Sequence, residues 1–410
     1  MKILMVNKFN FLQGGADKYF LDLSALLNAH GFDVAHFCMH HPSNLPDRCS
    51  TYFVSHLNFN KFSWKSAWKY LGRMFYSLEV KRKFSQLVFE FQPDVIHLHN
   101  IYHQISPSIL DIAREKKIPV VMHLHDYKLV CGNYKMFHHG NICEACKGGR
   151  HWRCITHRCF KNSILKSLIV AFEMYLHHRV LNIYDRNIAY YIAPSEFMRK
   201  KMIEWGIDQK KIKMVHHFME TRDLAPEYRV GEYFLYFGRL SEEKGIDQLL
   251  GAVNLVPNAK LKLVGAGSMS SFVKTEIARL NLSQRVELIG PKYAEELKNM
   301  IRQSLAVVVP SRWYEVFGLV SMEASALGKA VLAADIGGIP EVVKDQRTGL
   351  LFNPFVKEDL AEKMQWMLDH RDVLPGFGRA GRRFVEEAFN PEKHFNQIND
   401  LYKQVIKKNR

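Results

Sequence analysis

The stretch PSRWYEVFGLVSMEASALGKAVLAADIGGIPE, residues 310–341, follows directly on an apolar run that ends at Val309. Pro310 and Ser311 interrupt that run, and apolar residues at helical spacing begin near Phe317. A buried strand followed by a loop and a helix is the repeating unit of parallel α/β sheets. The stretch therefore predicts one such unit, with its loop at the carboxyl end of the strand.

Two glutamates in this stretch are spaced so that they would meet different parts of one ligand. Glu315 falls in the loop, and Glu323 falls about two turns further along, inside the predicted helix. The helix N-terminus between them offers unpaired N–H groups, which bind phosphate. A sugar nucleotide has this order of groups: sugar, diphosphate and ribose. Acids near a helix start also favour the helix dipole, so the spacing alone leaves a purely structural role open.

The alternation of strand and helix continues along the chain and predicts an α/β protein with two doubly wound parallel sheets. A chain of 410 residues suits two domains of about 200 residues each. The polar segment 219–231 separates two sets of strands, which gives domains at 1–220 and 221–390 and a last helix within 391–410. Strands are predicted at 2–9, 94–100, 119–124 and 188–194, and then at 233–237, 261–264, 286–289, 305–309 and 330–333.

The charge balance favours anionic partners. Lys and Arg number 57 against 41 Asp and Glu, a net charge of +16. Sugar nucleotides, lipid pyrophosphates and anionic membranes all fit this excess, whereas no DNA- or RNA-binding signature supports nucleic acid. No signal peptide is visible, and no apolar run reaches the ~18 residues that a membrane span needs. We expect a cytoplasmic protein, with a peripheral position on the inner face of the cell membrane as an option.

Segment 57–88 has a basic and aromatic helical pattern. Trp64, Trp68, Leu71, Phe75 and Leu78 recur at helical spacing, beside a stripe formed by Lys61, Lys65, Lys69 and Arg73. Such a helix suits a membrane interface. It equally suits a helix whose apolar stripe packs on the sheet while its lysines are solvated. The apolar stretch 164–181 is a second, weaker membrane candidate.

The quoted stretch and several shorter motifs carry a specific resemblance. The chain resembles the family-four retaining glycosyltransferases, which have the GT-B fold of two Rossmann-like domains facing a central cleft. The matching positions in the quoted stretch are Glu315, Phe317, Gly318, Leu319, Glu323, Ala324, Gly328 and 337–341. The shorter motifs are Gly14-Gly15, Gly238-Arg239-Leu240, Lys244-Gly245 and 264–267.

The resemblance implies a donor site for a nucleotide sugar of the UDP or GDP type. Arg239 and Lys244 follow a predicted strand and would clamp the diphosphate, with Gly238 allowing close backbone approach. Glu323 would bind the ribose hydroxyls, and Glu315 the hydroxyls of the transferred sugar. The backbone N–H groups of Phe317, Gly318 and Leu319 would meet sugar and phosphate, as would those of Gly14 and Gly15. The nucleobase is expected near Pro291, Lys292 and Tyr293.

His125 resembles the family's active-site histidine, close to the transferred sugar. Asp126 would either orient it or cap the next segment. His97 and His99 are expected to be structural, with shaping of the acceptor side as the alternative. The chain departs from the family at Val215-His216-His217-Phe218, where relatives often have Asn-Gly. That departure puts any family role of this loop in doubt.

The reaction implied is metal-independent sugar transfer with retention, in which the acceptor hydroxyl attacks from the leaving-group side. A glycan or lipid-linked acceptor in surface polysaccharide synthesis is expected. Two alternatives remain: a sugar-nucleotide 2-epimerase of the same fold, and a non-catalytic subunit that binds sugar nucleotides. An intact set of Arg239, Lys244, Glu315 and Glu323 argues against the non-catalytic subunit.

Five of the seven cysteines fall within residues 131–159. Cys143 and Cys146 have the two-residue gap of zinc ligands, and Cys154 and Cys159, with His151 and His157, could supply the second half. In a cytosolic protein such a cluster is more often a metal site or free thiols than disulfides. A structural zinc and reduced thiols without metal are both open, and no cofactor is expected for catalysis.

Overall fold

A computed structural model describes residues 1–57 and 67–409. The first sheet has six parallel strands in the order β2-β1-β3-β4-β7-β8, and a separate antiparallel hairpin, β5–β6, follows β4. The strands are β1 Lys2–Val6, β2 Asp33–Phe37, β3 Val95–Leu98, β4 Val120–His123, β5 Phe137–His138, β6 Asn141–Ile142, β7 Tyr190–Ala193 and β8 Ile212–Met214. The helices are α1 Gly15–Ala29, α2 Ala67–Phe75, α3 Leu78–Phe91, α4 Ile109–Glu115, α5 Arg153–Thr156, α6 Ile164–Tyr175 and α7 Glu196–Glu204.

The second sheet repeats this architecture, with six parallel strands in the order β11-β10-β9-β12-β13-β14. Its strands are β9 Phe234–Phe237, β10 Leu261–Val264, β11 Val286–Gly290, β12 Ala306–Val309, β13 Val331–Ala334 and β14 Gly349–Phe352. Its helices are α8 Ile246–Leu255, α9 Ser270–Arg279, α10 Ala294–Arg302, α11 Leu319–Ala326, α12 Ile339–Val342, α13 Lys357–Asp369 and α14 Leu374–Ala388. The predicted α/β class with two parallel sheets is confirmed.

The last helix, α15 Pro391–Asn409, packs on the first sheet rather than on the second. Its buried residues Phe395, Ile398 and Tyr402 belong to the same hydrophobic core as β1 and β3. The chain therefore returns to its first core after completing the second.

Central strands were easier to predict than edge strands. The predicted strands ending at Val264 and Val309 are both inner strands of the second sheet. The second is continuously apolar, as is typical of a strand covered on both faces. The edge strands β2, β8 and β14 were missed, because polar residues or a glycine break their apolar pattern, whereas the edge strand β11 was predicted. The predicted strand 2–9 ends at Val6, where the loop toward Gly14 begins.

Segment 57–88 is not one helix. Residues 58–66, with Trp64, Lys61 and Lys65, lie outside the described residues, and the remainder divides into α2 and α3 at Tyr76 and Ser77. Arg73 is not part of an exposed basic stripe, which corrects the prediction. Its guanidinium is buried, pairs with Glu79 at 3.0 Å and donates to the Gln104 carbonyl at 2.6 Å. Ser55 also binds Glu79, so this cation is held inside the first domain.

Within the described residues, every helix is too short or too polar to cross a lipid bilayer.

Candidate active site

The carboxyl ends of both sheets open onto one cavity of about 650 Å³. Loops after β1, β4 and β8 line it from the first domain, and loops after β9, β10, β11 and β12 line it from the second. Ligands of open α/β sheets bind at this edge, where the strands end. All of the predicted site residues except Glu323 and the cysteines line this cavity.

The second-domain wall carries a lysine–carboxylate pair. Lys244 Nζ lies 2.5 Å from Glu315 Oε1, and Ser311 donates its hydroxyl to the same oxygen at 2.5 Å. Burial by itself raises the pKa of Glu315, but the Lys244 ammonium and the hydrogen bonds outweigh it, and the pKa lies below its usual value. Glu315 is thus an ionised acceptor with one oxygen engaged by two donors.

The turn that carries Lys244 depends on glycine. Gly245 has φ 68°, and a Cβ there would lie 2.0 Å from the carbonyl oxygen of Pro310. Any side chain at this position would push the Lys244 turn away from the loop that carries Glu315. The loop that carries Lys244 packs closely on the loop that begins at Pro310, and this contact requires glycine at position 245.

Arg239 is held by a carboxylate that the sequence reasoning missed. Glu243 Oε1 lies 3.0 Å from the Arg239 guanidinium, and Glu243 Oε2 lies 3.0 Å from Lys135 of the first domain. Ser241 donates to Glu243 at 2.8 Å. Burial opposes ionisation of Glu243, yet Lys135 and Arg239 lower its pKa to about 2. The i,i+4 spacing from Arg239 was the available signal.

Two helix N-termini meet at the cavity. Helix α1 begins at Gly15, directly after Gly14, and helix α11 begins at Leu319, after Gly318 with φ 132°. A Cβ on Gly15 would lie only 2.7 Å from Leu319 Cδ1, so glycine permits this close approach of the two domains. Free N–H groups of both helices therefore lie at the lining of one cavity, an arrangement that favours an anion.

The first-domain floor is built from histidines. His99 Nδ1 lies 2.9 Å from His125 Nε2, and His123 Nε2 lies 3.2 Å from His217 Nε2. Tyr19 stacks on His217 with ring centroids 4.3 Å apart. Burial lowers the pKa of His125 to about 3, so the imidazole that faces the cavity is uncharged. Among residues 1–57 and 67–409, His123, His125 and His217 are the only three metal-type ligands within 4.8 Å of one another.

His125 has one histidine neighbour that contacts it directly and another that bonds elsewhere. His99 contacts His125 directly, whereas His97 bonds Tyr402 of α15 at 2.6 Å and so has a structural partner. Asp126 accepts from the backbone N–H of Lys128 at 2.8 Å, which is the capping alternative. His217, in the loop that departs from the family pattern, lines the cavity and was not predicted.

Glu323 lies outside the main cavity, and its predicted role in binding the ribose hydroxyls stays a prediction. It lines a small adjacent hollow with Lys18 and Asp22 of α1, and Leu319 is shared by the two spaces. Burial raises the pKa of its carboxyl. Its position two turns along α11 brings it against α1. Pro291, Lys292 and Tyr293 do line the main cavity.

Contacts across the cleft hold the two domains together. Glu341 of α12 accepts from the backbone N–H groups of Glu196 at 2.9 Å and Phe197 at 2.8 Å, at the start of α7. His216 bonds the same carboxylate at 3.1 Å. Ser195 caps α7 and also donates to the Val316 carbonyl at 2.6 Å. The second-domain carboxylate thus completes a first-domain helix.

The four cysteines predicted as zinc ligands lie in one region without forming a compact set of ligands. Cys146 and Cys154 are buried in one hydrophobic cluster, with Cys159 packed against it and Cys143 half-buried nearby. Contact with Cys159 lowers the pKa of the Cys154 thiol, whereas burial raises that of Cys146 to about 12. The structural zinc stays a prediction, and the metal content of the purified protein would test it.

Two family models together cover most of the chain. The model for Glycosyltransferase Family 4 matches residues 13–223, and the model for glycosyl transferases group 1 matches residues 223–384. The chain belongs to glycosyltransferase family 4. A relative, the uncharacterized glycosyltransferase MJ1178 of Methanocaldococcus jannaschii, is 31% identical over 180 residues. That match covers 43% of this chain and 50% of the relative.

Solved structures show that this family 4 chain has the GT-B fold. Sucrose-phosphate synthase from Thermosynechococcus elongatus aligns with a TM-score of 0.73 and 19% identity, covering 99% of both chains. Anabaena Alr3699/HepE in complex with UDP and glucose aligns with a TM-score of 0.66 and 20% identity, covering 98% of this chain and 99% of that one.

Proposed function

We propose that the protein is a retaining glycosyltransferase that moves a sugar from a UDP- or GDP-linked donor to an acceptor hydroxyl. One observation carries the proposal: Arg239, Lys244 and the N-termini of α1 and α11 all border one cavity. Positive charge and N–H donors concentrated at one place suit a diphosphate leaving group. The Anabaena neighbour, which has the same fold, was solved with UDP and glucose.

The donor diphosphate would lie between the Lys244 turn and the two helix N-termini. Lys244 and Arg239 would balance the charge that develops on the leaving phosphate, and Glu315 would accept hydrogen bonds from the sugar. Glu243 would keep Arg239 aimed at the cavity, since its carboxylate holds the guanidinium at 3.0 Å. The uncharged His125 would contact a sugar hydroxyl and leave the positive charge on the phosphate side.

We propose displacement on the front face of the sugar. The bond from the anomeric carbon to the phosphate oxygen breaks, and its electron pair stays on the phosphate. The acceptor oxygen forms its new bond on the same face, and its proton passes to the leaving phosphate. Glu315 is engaged by Lys244 and Ser311, which argues against its use as a nucleophile. Positioning and charge stabilisation would then supply the rate enhancement.

The acceptor would be a glycan or a lipid-linked sugar of a surface polysaccharide. The net charge of +16 supports an anionic acceptor such as a lipid pyrophosphate.

A donor screen followed by a product assay tests the proposal. Purified protein is screened against UDP- and GDP-sugars by thermal shift, and the stabilising donor is then incubated with acceptors and water. We expect nucleoside diphosphate release and a glycoside with the donor's anomeric configuration. Inversion at C2 without transfer would identify an epimerase instead. Donor binding without turnover against any acceptor or water would favour the non-catalytic subunit.

A further inference from the structure

Helix α6 turns an apolar face outward. Leu165 is 65% exposed and Phe172 is 55% exposed, and Leu168 and Tyr175 lie on the same side. The opposite side carries the residues that pack inward: Ser167, Val170, Ala171, Glu173 and Met174. A surface helix of a globular protein usually has its apolar side buried and its polar side exposed. The exposed side of α6 therefore lacks the polar residues that water contact would favour.

Helix α2 extends this face. Met74 of α2 is in the same buried cluster as Val170 and Met174 of α6, so the two helices pack together. The rings of Phe75 and Phe172 lie 5.7 Å apart between centroids. Trp68 is 84% exposed and lies two turns before Phe75, on the same side of α2 as Leu71. We call this surface the α2–α6 face: Trp68, Leu71, Leu165, Leu168, Phe172 and Tyr175.

Basic residues are concentrated in the segment that leads into α6 and along its first turns. Residues 145–172 contain six Lys and Arg and no Asp or Glu. Of these, Lys166 lies on α6 itself and Arg158 lies just before it, both exposed. Lys69 is exposed next to Trp68 on α2. An exposed apolar and aromatic face with exposed cations beside it is complementary to an anionic bilayer surface.

The inner side of α6 connects the face to the cleft. Glu173 lies 2.7 Å from Lys128 Nζ and 3.0 Å from His103 Nε2, and all but a few per cent of its side chain is buried. Lys128 is three residues beyond His125, in the loop whose Asp126 caps the Lys128 backbone. One helix thus contacts both the loop that carries the cavity histidine and the exposed face.

We propose that the α2–α6 face docks the protein on the surface of an anionic phospholipid bilayer. The apolar side chains enter the boundary between headgroups and acyl chains, and the basic border neutralises headgroup charge. The docking surface lies on the first domain, outside the donor cavity. It therefore holds whether or not the proposed transfer reaction does.

Vesicle flotation of the full-length protein tests the proposal directly. We expect the protein to float with vesicles of phosphatidylcholine and phosphatidylglycerol in equal amounts. Flotation should be at least roughly tenfold weaker with phosphatidylcholine alone, and salt should reduce it. Lipids brominated along their acyl chains should quench part of the tryptophan fluorescence. The Trp68→Phe variant should show less quenching.

Matched variants assign the binding to this face. Leu165→Ser with Phe172→Ser should weaken vesicle binding at least roughly tenfold, because the inserted apolar area is lost. Phe89→Ser is the control, since Phe89 on α3 is 76% exposed but lies elsewhere. Lys166→Glu should weaken binding, whereas Lys274→Glu on α9, also an exposed lysine, should not.

Three results would overturn the proposal. The first is a wild-type protein that does not float with anionic vesicles or shows no quenching by brominated lipid. The second is a loss of binding in the Phe89 and Lys274 variants as large as in the α2–α6 variants, which would indicate a diffuse surface. The third is a dimer, detected by light scattering, that Leu165→Ser with Phe172→Ser dissociates, which would assign the face to a second copy of the chain.

Discussion

The two sides of the cleft use opposite electrostatics. The second-domain side is ionic: Lys244 pairs with Glu315, and Arg239 pairs with the buried Glu243. The first-domain side is a layer of buried histidines, and burial lowers the pKa of His125 to about 3. A transfer reaction that leaves charge on one fragment needs cations on that fragment's side only. Under the proposed reaction, the contrast places the leaving group against the cations of the second domain and the sugar between the two sides.

Removing Lys244 should have the largest effect. Lys244→Ala should lower kcat/KM for donor turnover by about 10²–10³, the loss typical of one well-placed charge-stabilising group. Steady-state kinetics with the identified donor would measure it. Lys274→Ala, an exposed lysine on α9, is the matched control and should keep wild-type kinetics. Near-normal activity of Lys244→Ala would contradict the claim that the cations of the second domain stabilise the leaving group.

Glu243 should act through Arg239. Glu243→Gln should lower kcat/KM by about tenfold to a hundredfold, since charge-assisted bonds to Arg239 and Lys135 contribute about 1.5–3 kcal/mol. The folded pKa of about 2 lies below the usual value near 4.5, so this carboxylate's stabilisation is complete above pH 4.5 and is lost as pH falls toward 2. The variant should therefore show a shallower loss of stability in that window. An unchanged acid profile with reduced activity would deny Glu243 this role.

The histidine floor should make stability sensitive to mild acid. An unfolded histidine takes up its proton near pH 6.5, whereas folded His125 does so near pH 3. Protonation therefore favours the unfolded state, and the free energy of unfolding falls as the pH drops below 6.5. Between pH 7 and pH 5, His125→Asn should lose about 2 kcal/mol less free energy of unfolding than the wild type. Urea denaturation at both pH values would measure this. His40→Asn, at an exposed histidine, should follow the wild type.

Glu341 should have the smallest effect and should separate domain docking from chemistry. Glu341→Gln weakens two hydrogen bonds at the start of α7 and a third from His216, so stability should fall by about 1 kcal/mol, as for loss of a helix cap. KM for the donor should rise while kcat changes little, because no atom of Glu341 lines the cavity. A large fall in kcat with unchanged KM would contradict this separation.

The fold and much of the cavity lining were predictable because each motif is local. Glycine turns and apolar runs identify strand ends, and strand ends of parallel sheets converge. Three contacts were not predictable, since each joins residues 94 to 144 positions apart: Glu243–Lys135, Glu341–Phe197 and His123–His217. The pattern of segment 57–88 indicated helix, but it did not indicate that Arg73 would be buried in an ion pair with Glu79.

A crystal structure with the nucleoside diphosphate that most raises the melting temperature tests the central claim most directly. We predict its diphosphate in the 650 Å³ cavity, within hydrogen-bond distance of Lys244 Nζ and the N-termini of α1 and α11, with the histidines on the far side. A diphosphate bound against His125 and His217, away from Lys244 and Arg239, would contradict it.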